Sequence, residues 1–474
     1  RFVSELILMR GNIYLGGSAG FALAADNDVP MAAKAHIIGT AFLGVEMQCA
    51  RCHDSPFHST TQRDLFQISA MLDRKGLVLP KSSTVPAGFF EKKERESLIK
   101  ATLKPNQKID PAWPFKTIST DEIPAQWLLQ KDDAREKLAA IITLPSNKRF
   151  AKVLVNRYWK RLMGAGIVEP AFDWENKSAS HPELLEWLAH EFVASGYQSK
   201  SILRLIMNSQ AYQRDANGHN LAAAPEVRFF IAPDKRRMSA EQVVDSLFHA
   251  SGRTMKVEEI TFDSDSRQPP DRMLNLGVPR RAWEYTSLSN ERDRPSLALP
   301  RVQAVTDVLE AFGWRGARQN PITDRETSPH LLQPAILANG TLSSWISRLS
   351  DGGSLTKVAL DAKNPDDIAD EIYLRFLSRY PTAEEKSKLF DVLEPGFVSR
   401  FKAQSSGGIP ELSRLPRISW TNHLVEEATK VKFEMEKRAR MGDPPTELLD
   451  SSWRERVEDM VWAVFNLPEF VWIP

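Results

Sequence analysis

The 474 residues contain two cysteines, and both fall in one short stretch, Cys49-Ala50-Arg51-Cys52-His53. Two thiols at this spacing, followed at once by histidine, form the pattern of covalent c-type haem attachment. The chemistry accounts for the spacing. The thiols add to the two vinyl groups on one edge of a porphyrin, and the adjacent imidazole of His53 turns onto the iron as the proximal ligand. Other chemistries fit less well. A C-x-x-C redox pair belongs beside a βαβ pattern, which is missing here. A zinc site asks for a second pair of ligands at metal spacing, and no further cysteine exists. A disulfide across two intervening residues leaves His53 without a role.

The opposite face of such an iron has four candidate ligands: Met71, His181, His58 and His36. A sixth protein ligand favours electron transfer, whereas an open position admits small molecules. Met71 lies on the helix expected after the motif, where core filling is the ordinary role of methionine. His58 is five residues past His53, too close to reach the far face with ease. His36 belongs to the helix before the motif and suits a polar core position equally well. His181 sits at a helix N-terminus, a place normally solvated. Asp54 and Arg51 flank the motif, either as partners of haem propionates or as a turn cap and a surface charge. Trp113, Trp159, Trp187, Trp283, Trp314 and Trp420 read first as core residues, with a sugar platform or an electron path as the alternative.

Helices must present these groups. Ile37, Ile38, Ala41, Phe42 and Val45 recur at helical spacing and predict a helix from Met31 to Gln48, interrupted by Gly39 and Gly44. A glycine inside a helix costs on the order of 1 kcal/mol against alanine, so a flat ring or tight packing is expected against these two. A second helix is expected to start near Thr61 and run through Leu65–Leu72.

The rest of the chain divides by composition. Residues 1–75 form the haem-bearing segment. Residues 76–135 hold Pro80, Pro86, Pro105, Pro111, Pro114 and Pro124 and read as an extended strap with a short hairpin. Residues 136–474 read as a helical domain. Three capping-box signatures mark helix starts there: Ser180 with Glu183, Ser239 with Gln242, and Thr382 with Glu385. Val302–Phe312 fits helix or strand by pattern alone. The expected fold class is mainly α with few short strands, the haem module merged into the larger helical domain. A segment of about 75 residues is marginal alone, because small chains bury only about 60% of their unfolded surface.

Lys plus Arg number 62 and Asp plus Glu 61, which argues against a binder of nucleic acid driven by bulk charge. No run of 18 apolar residues predicts a transmembrane helix. The opening Arg1-Phe2-Val3-Ser4-Glu5-Leu6 reads as helix interior, so the chain is expected to belong to a longer precursor. With no third cysteine, packing alone must hold the fold.

Thr40-Ala41-Phe42-Leu43-Gly44-Val45-Glu46-Met47-Gln48-Cys49-Ala50-Arg51-Cys52-His53-Asp54 resembles the cytochrome-c-like domain of planctomycetes and their relatives. The second half resembles the helical domain of unknown function that follows it. The marks are Val155-Asn156-Arg157-Tyr158-Trp159, Ser180-His181-Pro182-Glu183-Leu184-Leu185-Glu186-Trp187-Leu188, Arg237-Met238-Ser239-Ala240-Glu241-Gln242 and Asn466-Leu467-Pro468-Glu469-Phe470. Two positions depart from the family pattern: Ser55 stands where His is common, and His58 where Asp is common. The resemblance implies an exported haem c protein, periplasmic or extracellular, but no reaction. Three functions follow as expectations. The first is a monohaem cytochrome exchanging electrons with a partner protein or small carrier. The second is a peroxidase-like enzyme acting on a small or carbohydrate-derived substrate. The third is an assembly subunit whose haem nucleates folding.

Overall fold

The computed structural model of the chain describes residues 1–11, 17–23, 29–86, 88, 99–258, 260–261, 275–287, 299–314, 328–402, 413–416, 418 and 422–473. Among them lie 17 α-helices, and the strands, two or three residues long, associate only in twos. The fold is mainly α. Two compact units divide it: residues 1–236 with 318–323 and 474, and residues 237–317 with 324–473. The division falls inside the stretch read from composition as a single helical domain.

In the first unit the Phe2–Leu8 helix packs on Ala134–Thr143, which also packs on Gln62–Asp73. Gln62–Asp73 lies in turn against Pro30–Ile38. One hydrophobic core runs through all of them, from Val3 and Ile7 to Leu138, Ile141 and Phe150. The strap contributes Leu79, Leu103, Ile109 and Trp113 to that core. Its hairpin pairs Leu77 with Ile109 and Val78 with Lys108, antiparallel. A neighbouring cluster is built by Lys148–Met163, Pro182–Ala194 and Ser199–Met207, with Trp159, Leu188, Phe192 and Ile202 at its centre.

The second unit has its own core, from Val243 and Leu247 through Val305, Ile346 and Ile372 to Trp453 and Phe465. Ser239/Gln242 and Thr382/Glu385 form the expected capping boxes, and Asn364/Asp367 forms another. Val302–Phe312 is helical: Pro300 starts a helix that ends at Ala311, its fixed φ suiting the first turn.

Two expectations are corrected. The helix before the motif is shorter than Met31–Gln48: regular α-structure covers Pro30–Ile38, a π-turn covers Gly39–Leu43, and Gly44 ends it in the left-handed conformation at φ 62°. Ser180 with Glu183 makes no capping box. Pro182 takes the first helical position, so His181 becomes the N-cap, and the Ser180 hydroxyl donates to the Ile167 carbonyl at 3.2 Å. After Pro182–Ala194, Ser199–Met207 forms a helix followed by turns. The Trp283 side chain and Trp420 fall outside the described residues.

Candidate functional site

Cys49–Arg51 forms one 3-10 turn, closed by Cys52 N donating to Cys49 O at 3.1 Å and His53 N to the same oxygen at 3.2 Å. Ala50 is fully buried and plugs the turn into the core, under the Gln62–Asp73 helix. The two cysteines flank that plug. Both thiols are free, Cys49 half-buried and Cys52 exposed.

The His53 ring lies with Nδ1 at 2.8 Å from the Asp54 carbonyl oxygen. A carbonyl only accepts, so Nδ1 carries the proton. In the tautomer that matches this bond the lone pair lies on Nε2, the nitrogen available to a metal. Hydrogen bonding of one ring nitrogen to a backbone carbonyl is the usual way a ligating histidine is oriented.

Asp54 itself is a knot between motif, helix and strap. Its N–H donates to Lys100 O at 2.8 Å, and its Oδ1 accepts from Gln62 N at 2.8 Å and Thr102 Oγ1 at 3.0 Å. Through Gln62 N it ties the start of the Gln62–Asp73 helix to the strap. Gln62, wholly buried, repeats the tie: its Nε2 donates to Ser83 O, and its Oε1 accepts from Thr102 N and Leu103 N. Thr61 with Asp64 completes the helix start as a capping box.

The two family departures meet in space. Ser55 Oγ lies 3.2 Å from His58 Nδ1, and His58 Nε2 lies 3.0 Å from Asp173 Oδ2. This is a Ser–His–Asp chain, yet it is poorly arranged for nucleophilic attack. Ser55 Oγ already accepts from Phe57 N at 3.3 Å and His58 N at 3.1 Å. With two N–H donors on its lone pairs and its proton directed at His58, the oxygen has no free pair for a substrate. The chain instead fixes the 55–58 turn to the loop carrying Asp173.

That loop grips the motif segment elsewhere too. Trp174 N donates to Gly44 O at 2.9 Å, and a Cβ on Gly44 would stand 2.7 Å from the Trp174 ring. The ring expected against a glycine is thus Trp174. On Gly39 a Cβ would run into the Met47 side chain. Ser59 N donates to Glu175 Oε1 at 2.7 Å. The Arg149 guanidinium sits 4.7 Å from the Trp174 ring centre and donates to Leu43 O at 3.0 Å, while Arg157 donates to Thr40 O at 2.7 Å.

The candidate sixth ligands lie in separate settings. Met71 is buried in the core with Phe66 and Leu72. His36 is buried, its Nδ1 accepting from Met47 N at 3.4 Å and 3.6 Å from Glu46 Oε1. Burial pushes its pKa below the ordinary value, against the opposing pull of Glu46. His58 has both ring nitrogens engaged. His181 Nδ1 lies 3.1 Å from Ser180 Oγ, with its ring 5.6 Å from that of Phe230. Trp113, Trp159 and Trp314 are core residues, and Trp187 is 49% exposed. Asp173, Trp174 and Glu175 were not singled out by sequence reasoning. They occupy a loop without periodicity, and only the density of acidic and aromatic residues in Asp173-Trp174-Glu175 marks it.

These features define a helical protein whose first unit displays a C-x-x-C-H turn held by a strap and an acidic–aromatic loop. The chain belongs to the PSD1 family of proteins of unknown function (DUF1553), whose model matches residues 134–393, more than half its length. Residues 22–76 match PSCyt2, likewise a protein of unknown function (DUF1549). The two together fit the planctomycete-type domain pairing. No curated protein and no solved structure matches the chain. No helix among the described residues is long and apolar enough to cross a membrane.

Proposed function

We propose that Cys49, Cys52 and His53 hold one covalent haem c, and that the protein carries electrons to or from a partner protein or small carrier in the periplasm or outside the cell. The observation that carries this reading is the His53 hydrogen bond to the Asp54 carbonyl, which leaves Nε2 free to ligate, beside two unpaired thiols on one turn. The donor set fits the group: two thiols for thioethers and one oriented imidazole. When bound, the haem supplies a one-electron couple. The protein's part is to fix the attachment turn through Ala50, Asp54 and the strap, and to keep one edge accessible at the exposed Cys52 and at Phe57, which is 81% exposed. Export follows from the attachment chemistry, which takes place outside the inner membrane.

A second reading, a peroxidase-like enzyme, draws on the sixth-ligand candidates. His58 has both ring nitrogens committed to protein partners, and Met71 is core filling. The loss of these two candidates favours an open iron position. The optical spectrum of the protein matured with haem c, titrated with cyanide, separates the two. A low-spin spectrum unmoved by cyanide supports the carrier. A high-spin spectrum that shifts with cyanide supports the enzyme, and a protein without a haem spectrum refutes both.

A further inference from the structure

The second unit contains a cavity of about 320 Å³. Its polar lining is Arg301, Arg438 and Glu258, and its apolar lining includes Val257, Met435 and Met441. This size and this mixture, an apolar body with few placed polar groups, are those of a small-ligand site.

The charged groups are fixed by the fold. Glu258 caps the start of the Pro300–Ala311 helix, its two oxygens accepting from Arg301 N at 3.1 Å and Val302 N at 2.9 Å. The Arg301 guanidinium donates to Lys256 O at 3.3 Å and lies 5.6 Å from the Trp345 ring centre. Arg438 donates through Nε to Glu434 at 2.9 Å and through Nη1 to Ser413 O at 2.7 Å. A guanidinium has five N–H donors. Each arginine therefore keeps a terminal nitrogen, Nη2, with no acceptor among the described residues. Arg438 is ion-paired with Glu434, while burial pushes the Glu258 carboxyl up, toward its neutral form, which leaves the Arg301 charge less opposed.

We propose that this cavity binds a small organic acid, its carboxylate on Arg301 and Arg438 and its apolar chain on Met435, Met441 and Val257. The guanidinium fork matches a carboxylate, and it holds its charge where lysine would shift. Methionine, unbranched and polarizable, adapts to an aliphatic chain of variable length.

Octanoate is the probe, with 1-octanol as its neutral counterpart, each titrated calorimetrically into the full chain. Octanoate is expected to saturate at one site and to bind at least about tenfold tighter than octanol, and to weaken as salt rises while octanol does not. Arg301→Met and Arg438→Met should each cost octanoate about tenfold and leave octanol unchanged. Met435→Trp, which fills the cavity, should abolish both. Circular dichroism checks that each variant folds. Where a variant unfolds, the octanol and salt comparisons on the unmodified protein decide. No octanoate binding, equal affinity for the two probes, salt-independent octanoate binding, or a Met435→Trp protein that binds normally would overturn the proposal.

Discussion

The C-x-x-C-H segment and the second unit solve the problem of burial in opposite ways. The second unit encloses its core with its own helices, so that Trp453, Tyr285 and Phe465 are almost wholly buried among residues 240–470. The segment of residues 1–75 does not. Its core continues into the strap at Leu103 and Trp113 and into later helices at Ile141 and Phe150, and its polar groups are satisfied from outside by Lys100, Thr102 and Asp173. A stretch that carries the C-x-x-C-H pattern and matches a family model by itself is thus, physically, one part of a larger core. Its neighbours position the C-x-x-C-H turn as much as its own helices do.

The largest effect should come from cutting the two regions out. Residues 237–473 alone are expected to give a helical spectrum and a cooperative thermal transition by circular dichroism. Residues 1–75 alone should remain unfolded, having lost the partners of their apolar face. A cooperative transition in the shorter fragment would break the comparison.

Trp174→Ala comes next. It removes the ring packed on Gly44 and the face beneath Arg149, and large-to-small changes of this kind cost about 3–5 kcal/mol. Urea denaturation of the full chain measures it, with exposed Trp187→Ala as the control, expected within about 0.5 kcal/mol of the parent. Smaller again is the His58–Asp173 tie. A double-mutant cycle of His58→Ala and Asp173→Ala should give a coupling on the order of 1–2 kcal/mol, read from the same denaturation curves. Zero coupling would mean that Trp174 and Glu175 hold the loop without this tie.

The gentlest probe is pH. Burial holds His36 below its ordinary pKa, so between the folded and unfolded values the unfolded chain binds more protons. Its contribution to stability is whole above the unfolded value of about 6.5 and is lost as the pH falls from there toward the folded value. Comparing unfolding free energies at intervals across that range, His36→Gln should flatten the slope.

Much of this was legible in the chain. Ser239, Thr61 and Thr382 announce helix starts because a side-chain cap is a local device, decided within four residues. The hairpin within the strap and the helical class are visible for the same reason. Gly44 shows that something must approach closely, but not what. The answer, Trp174, lies 130 positions further on in a loop with no period to read. Ser180 misled because Pro182 moved the cap by one residue, a competition between two local rules that only the backbone settles. At the candidate site, spacing identified Cys49, Cys52 and His53, whereas the hydrogen bond that selects the His53 tautomer and the partners of Asp54 and His58 are tertiary facts.

Whether the two cysteines carry haem is tested most directly by extraction. Protein matured with haem c is denatured, extracted with acid acetone and assayed as its pyridine haemochrome. Haem should stay with the polypeptide and show the band of a two-thioether c-type group, and Cys52→Ala should shift it to that of a single thioether. Haem that passes entirely into the solvent, or a band unaffected by Cys52→Ala, would contradict the account.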